Sequence, residues 1–140
     1  MKRLVLLDTG PLVASLSRDD YHHEWASVQW HDIEPPLLTC EGVISEAGFL
    51  LDRVPGAKQA VFELLRRQII VVPFLVSDHA TTLAALLKKY SDVPMSVADA
   101  CLVRMAEQFH ETAVFTVDSD FRLYRKHGRR VIPRIIPKTV

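Results

Sequence analysis

The chain has 140 residues, with 17 basic and 17 acidic side chains and 49% hydrophobic residues. That length suits one domain with one core, taken here as residues 1–140, and the apolar content excludes a disordered tail. No apolar run reaches the about 20 residues that a membrane-spanning helix needs, so no membrane partner is expected.

The N-terminal Met1-Lys-Arg-Leu-Val-Leu-Leu-Asp8 looks like a secretion signal only in its first residues. Asp8 interrupts the apolar stretch and no A-x-A-like cleavage site follows, so residues 3–7 are expected to form a first strand. Asp8-Thr9-Gly10 turns the chain, and Pro11 suits the first position of a short helix to about Ser17, where its missing N–H costs nothing. A polar break at residues 18–20 precedes a second helix, roughly 21–31, which Pro35-Pro36 stops. Residues 37–39 read as a strand, and 41–53 as a helix with Val43, Ile44, Ala47, Leu50 and Leu51 on its apolar stripe. After Pro55-Gly56 a helix is expected over 57–67. The β-branched run 69–72, closed by Pro73, predicts a strand. Residues 78–90 read as a helix with Ser77 as its cap, and 91–94 as a loop. Ser96 then caps a helix to about Phe109, in a capping-box pattern with Asp99. That helix is apolar on most faces and is expected to be buried. Residues 113–117 read as a strand, 121–126 as a short helix ended by Gly128, and 130–136 as a last strand. Pro133 inside it argues for a sheet edge. Strands alternate with helices throughout, which signals an α/β fold with a parallel three-layer sheet.

Four acids fall where such a fold places ligands. Asp8 and Asp118 end apolar runs that read as strands, and Glu46 and Asp99 lie near the starts of two apolar helices. Parallel α/β sheets put their sites at the carboxyl ends of the strands. Like charges gathered there call for a hard divalent cation. A site made only of carboxylates favours Mg²⁺ or Mn²⁺ over zinc, which prefers nitrogen and sulfur. Taken singly, each acid also has an ordinary role: a turn residue for Asp8 or Asp118, an exposed helix face for Glu46, a first-turn dipole partner for Asp99. Thr9, Ser96 and Thr116 lie beside three of the acids and can orient metal waters or the acids themselves, or serve as backbone caps. Asp120 has two open roles, a metal contact through water or a cap for the helix expected at Phe121.

The zero net charge conceals an asymmetry. No acid follows Asp120, whereas Arg122, Arg125, Lys126, Arg129, Arg130, Arg134 and Lys138 do. This segregation fits either a polyanion partner or a solvated surface with none. Cys40 and Cys101 lack metal-ligand spacing and sit in apolar surroundings, as reduced core thiols of a cytoplasmic protein would. The six histidines form no metal-binding pattern. Trp25 and Trp30 are more often packing anchors than nucleobase platforms.

Leu6-Leu-Asp-Thr-Gly-Pro-Leu-Val-Ala14, Val43-Ile-Ser-Glu-Ala47, Ser96-Val-Ala-Asp-Ala100 and Thr116-Val-Asp-Ser-Asp-Phe121 together resemble the PIN domain family, specifically its short VapC-type ribonucleases. Each segment is weak alone; their shared order and spacing across nearly the whole chain are specific. The resemblance implies a five-stranded parallel sheet flanked by helices in an α/β/α sandwich. It implies that Asp8, Glu46, Asp99 and Asp118 hold the metal, with Asp120 as a further candidate. It also implies a toxin that cuts tRNA or rRNA, pairs with a small antitoxin and often dimerises. Residues 21–30 and 49–54 are candidate partner contacts, or ordinary packing residues. Arg122 and Arg125, nearest the acids in sequence, are the candidates for meeting the RNA backbone.

Other readings weaken on inspection. Asp8-Thr9-Gly10 matches the aspartic-protease triplet, but that chemistry pairs aspartates in a mostly β fold. A haloacid-dehalogenase phosphatase needs an aspartate where Gly10 stands. Two alternatives within the family remain: a PIN-like module that binds RNA or protein without cutting, and an RNA-processing nuclease that is not a toxin.

Overall fold

The structure, a computed structural model, describes residues 3–140; Met1 and Lys2, the start of the N-terminal segment discussed above, lie outside the described residues. Five short strands form one sheet: β1 (Leu4–Leu7), β2 (Leu37–Leu38), β3 (Ile70–Val71), β4 (Thr112–Phe115) and β7 (Arg134–Ile135). They lie in the order β3-β2-β1-β4-β7, and every neighbouring pair is parallel. Six helices flank them: α1 (Thr9–Leu16), α2 (His23–Asp32), α3 (Glu41–Leu50), α4 (Ala57–Arg66), α5 (Ala80–Lys89) and α6 (Val97–Gln108). The expected five-stranded parallel α/β fold is therefore present. A parallel sheet covered on both faces explains why β1 and β4 read as continuous apolar runs; β4 is buried along its whole length.

The strand order decides where a site can open. The chain runs from β1 outward through β2 to β3, then returns to place β4 on the other side of β1. The order reverses between β1 and β4, and at such a point the connections leaving the two strands diverge and open a crevice at their carboxyl ends. Asp8 follows β1 there, and Asp118 lies shortly beyond β4.

Packing fixes that crevice from both sides. Phe115, at the end of β4, is buried against Trp25 and Trp30 of α2, with ring centroids 5.5 and 6.0 Å apart. Both tryptophans are thus packing anchors. Gly10 is needed for space: a Cβ there would overlap Cγ2 of Val117. α6 is buried from Ala98 to Val103, as its apolar faces predict.

The C-terminal part departs from expectation. In place of a helix over 121–126, Ser119–Arg122 forms one 3₁₀ turn, followed by β5 (Arg125–Lys126). In place of one strand over 130–136, the chain makes β6 (Arg130–Val131), antiparallel to β5, and then β7. The sequence pattern misleads because buried Phe121 and Tyr124 are spaced as on a helix face. Their burial comes instead from edge-on ring packing, Tyr124 lying 5.0 Å from both Phe121 and Tyr90. His127 and Gly128, at φ 51° and 83°, turn the hairpin. Glu107 Oε2 accepts from His127 N at 2.7 Å and Lys89 Nζ donates to Gly128 O at 2.9 Å, pinning the turn to the helices. Pro133 separates β6 from β7, and β7 is the sheet edge that the proline suggested.

Smaller shifts occur at helix ends. α1 starts at Thr9 with Asp8 as its cap, so Pro11 is third in the helix, still within the first turn. α2 starts at His23, leaving Tyr21 outside it and 90% exposed. α3 stops at Leu50, short of Arg53. Val76–His79 is a 3₁₀ turn leading into α5, so Ser77 does not cap that helix.

Candidate metal centre

Asp8 is buried and held at both oxygens. Oδ1 accepts from Thr9 N at 2.8 Å, the cap bond of α1, and Oδ2 accepts from the Thr116 hydroxyl at 2.7 Å. The same Thr116 oxygen accepts from Asp118 N at 2.9 Å. One buried hydroxyl thus ties the end of β1 to the turn after β4. Asp118 Oδ1 accepts from Asp120 N at 2.8 Å and caps the 3₁₀ turn. Asp99 enters from the first turn of α6, whose amino end lies at this edge of the sheet. Ser96 Oγ accepts from Asp99 N at 3.0 Å, and Asp99 Oδ2 accepts from Ser96 N at 3.5 Å, completing the expected capping box. Tyr124 donates its hydroxyl to the same Oδ2 at 2.8 Å.

Electrostatics joins these acids. Burial, with smaller contributions from the charges of Asp99 and Asp118, outweighs the two hydrogen bonds and pushes the Asp8 carboxyl up to about 7. Asp99 is raised by burial and then by Asp118, against the hydrogen bond from Tyr124. Asp120 is raised by burial and by Asp118. Three aspartates from separate elements therefore feel one another across the crevice. Among the described residues, no three His, Cys, Asp or Glu side chains stand in a ready-made metal cage; the coupling is through space.

The donor set fits a hard divalent cation. It consists of carboxylate oxygens, and a buried carboxyl held near neutral is ionised readily only when positive charge arrives beside it. Thr9 Oγ1, next to Asp8, is buried without a hydrogen-bond partner, as a hydroxyl waiting for an ion's water would be.

Glu46 lies in the second turn of α3 and is exposed. Asp120 does not cap a helix at Phe121, because Asp118 supplies the cap of the turn that replaces that helix. Ser96 is occupied as a cap. Arg122 and Arg125 lie on the 3₁₀ turn and on β5, beside the Asp118 loop. Sequence reasoning missed Tyr124. Its only signal was a tyrosine in an otherwise basic stretch, and a buried tyrosine needs a partner for its hydroxyl.

The fold and its acids define a class: an α/β domain whose ligand edge, at the switch point of a parallel sheet, is lined with aspartates. Residues 5–127 match the PIN domain, and the chain belongs to that family. PIN domains typically use divalent metals. The fold is similar to that of the Mycobacterium tuberculosis toxin VapC20, a sarcin-ricin-loop-cleaving toxin, with a TM-score of 0.78 and 21% identity over 90% of this chain and 98% of that one. At that identity the likeness is one of fold. No curated protein matches the chain in sequence.

Proposed function

We propose that this chain is a Mg²⁺- or Mn²⁺-dependent endoribonuclease, one PIN-like domain over residues 1–140, acting as the toxin of a VapBC-type pair in the cytoplasm. The observation that carries the reading is the set of aspartates at the switch point of a PIN-family sheet, with Asp8 and Asp118 tied through Thr116 and Asp99 held by Tyr124. In this reading those three aspartates and Glu46 hold the metal, Asp120 adds charge beside them, and tRNA or rRNA is the substrate. The bound ion would acidify the attacking water and offset charge building on the phosphate.

The chain's own residues prepare that chemistry. Thr116 fixes the orientation of Asp8, and Tyr124 that of Asp99, so the carboxylates need little reorganisation when the ion and substrate arrive. Both bonds to Asp99 fall on Oδ2, leaving Oδ1 for a ligand. Arg122 and Arg125 face the RNA backbone. The toxin reading is supported by the fold shared with VapC20. Phe49, Leu50 and Tyr21, large apolar side chains left exposed, suit an antitoxin or a second copy of the chain.

The test is cleavage of a mixed tRNA and rRNA pool with Mg²⁺, with Mn²⁺, with EDTA, and by Asp99→Asn. Discrete cuts that need the metal and vanish in the variant are expected. Cutting that persists in Asp99→Asn would place the site elsewhere. An inactive but folded, partner-free protein would favour a binding module.

A further inference from the structure

A cavity of about 480 Å³ opens where the start of α2 meets the chain beyond β7, within the size range of small-ligand sites. Tyr21, His22, Glu24 and Trp25 line one wall, and Pro137 and Lys138 line the other. Three rings follow one another along the first wall. The centroids of Tyr21 and His22 lie 4.8 Å apart with the rings at 84°, and those of His22 and Trp25 lie 6.5 Å apart at 72°. Trp25 in turn packs on Phe115. Tyr21, at the outer end of the row, leaves nearly its whole ring in solvent and so adds little to the core. Its turn is nevertheless well bonded. His22 N donates to Asp20 Oδ1 at 2.8 Å and His23 N to Asp20 O at 3.0 Å, while the His23 ring bonds Ala14 O at 2.6 Å. A flat apolar face held in place before any ligand arrives lowers the ordering cost of binding.

The second wall is tied to the acids. Thr116 N donates to Ile135 O at 3.0 Å, and the Thr116 hydroxyl is the one that holds Asp8. Pro137 comes two residues after Ile135, about 7 Å of extended chain. Val140 N donates back to Pro137 O at 3.1 Å, and Val140 O accepts from Arg122 Nε at 3.0 Å, on the turn that Asp118 caps. The wall is therefore anchored at both ends to residues that frame the acid crevice, and the cavity opens beside that crevice.

An exposed aromatic face with an ammonium group across from it matches a nucleotide. The ring suits a base, because unpaired bases stack on aromatic side chains, and exposed Lys138 suits a phosphate. Glu24 adds an acceptor for a base's exocyclic amino group. We infer that this cavity is a nucleotide subsite, in which Tyr21 stacks on an RNA base flanking the phosphate at the acids and Lys138 meets the next phosphate. The inference rests on the ribonuclease reading and deepens it. The acids act on a phosphate, which every nucleotide carries, whereas stacking needs a base splayed out of its helix. The subsite therefore selects RNA that is unpaired beside the cut.

The test is equilibrium binding of two single-stranded RNAs in EDTA, where no cleavage intrudes, across a salt series. One strand is intact, and the other carries abasic sites in place of a run of bases. The wild-type protein is compared with Tyr21→Ala, Tyr21→Trp, Lys138→Gln and Phe62→Ala, all at exposed positions. Tyr21→Ala should weaken binding of the intact strand about ten- to a hundredfold without changing the salt slope, and should lose nothing on the abasic strand. Tyr21→Trp should keep the affinity. Lys138→Gln should flatten the slope of log affinity against log salt by about 0.7, the loss of one phosphate contact on a single strand. Phe62→Ala, which removes an exposed ring on α4, should bind as the wild type does. Undiminished binding of the intact strand by Tyr21→Ala, or an equal loss on both strands, overturns the subsite and leaves the ribonuclease reading standing; the first result leaves Tyr21 as a protein contact. An unchanged slope in Lys138→Gln overturns the phosphate contact. A wild-type protein that binds RNA neither in EDTA nor with Mg²⁺ overturns the subsite and the ribonuclease reading together.

Discussion

Asp8 and Glu46 are assigned to the same ion yet live in opposite surroundings. Asp8 sits at the floor of the crevice, buried, bonded at both oxygens, and held near neutral by its burial and its acidic neighbours. Glu46 stands on the exposed surface of α3. The floor is built in advance and is electrostatically stressed without an ion. Metal should therefore matter for the stability of the floor and for chemistry at both places.

The largest effect expected is on activity. Asp8→Asn or Asp99→Asn should lower cleavage on the order of 10³-fold, whereas Glu46→Gln should cost about ten- to a hundredfold. Equal losses at all positions, measured under single-turnover conditions, would erase the distinction between the two surroundings.

Stability against pH sharpens it further. The folded Asp8 binds its proton up to about pH 7, whereas an unfolded aspartate releases it near 3.8. The folded state thus binds more protons between those values, so metal-free stability should fall as pH rises from about 4 to 7 and level off above. The loss should be a few kcal/mol at most, about 1.4 per pH unit at its steepest. Mg²⁺ should restore it increasingly as pH rises, because the ion displaces the proton. Asp8→Asn should make the metal-free profile shallower, leaving the contributions of Asp99 and Asp120, whose carboxyls are also raised, and should weaken the Mg²⁺ effect. Chemical denaturation across pH, with and without Mg²⁺, measures this.

The bonds that orient the floor come next. Thr116→Val leaves Asp8 Oδ2 and Asp118 N without their shared partner and should cost about 1–3 kcal/mol. Tyr124→Phe should cost about 1 kcal/mol of stability and lower metal affinity about ten- to a hundredfold. Calorimetric metal titration separates the two quantities; a Tyr124→Phe variant that binds metal normally would remove this tyrosine from the site. The smallest effect concerns the scaffold alone. Gly10→Ala should destabilise by about 1–3 kcal/mol through overlap with Val117, and Val117→Ala should relieve it.

Much of this was legible in the linear chain. Alternating apolar runs and amphipathic stretches announced the parallel sheet, because strands buried on both faces must be apolar throughout. Asp8, Asp99 and Asp118 were legible because strand ends and helix starts are where a parallel fold exposes backbone polar groups and ligands. The capping box at Ser96 was legible because it is local. The C-terminal hairpin was not, since Phe121 and Tyr124 carry a helical spacing whose meaning depends on α6 and Tyr90 being present to bury them. Nor was the Thr116 bridge, whose partner is 108 residues away in Asp8.

The sequence by itself determined the alternation of strands and helices, the caps, and which acids fall at their ends, all properties of residues within a few positions of one another. Only the tertiary structure decided that Tyr124 and Thr116 orient those acids, that Glu46 is exposed on α3, and that the C-terminal stretch folds into a hairpin. Those relations depend on strand order and on burial, and both are settled only when distant segments pack and exclude water.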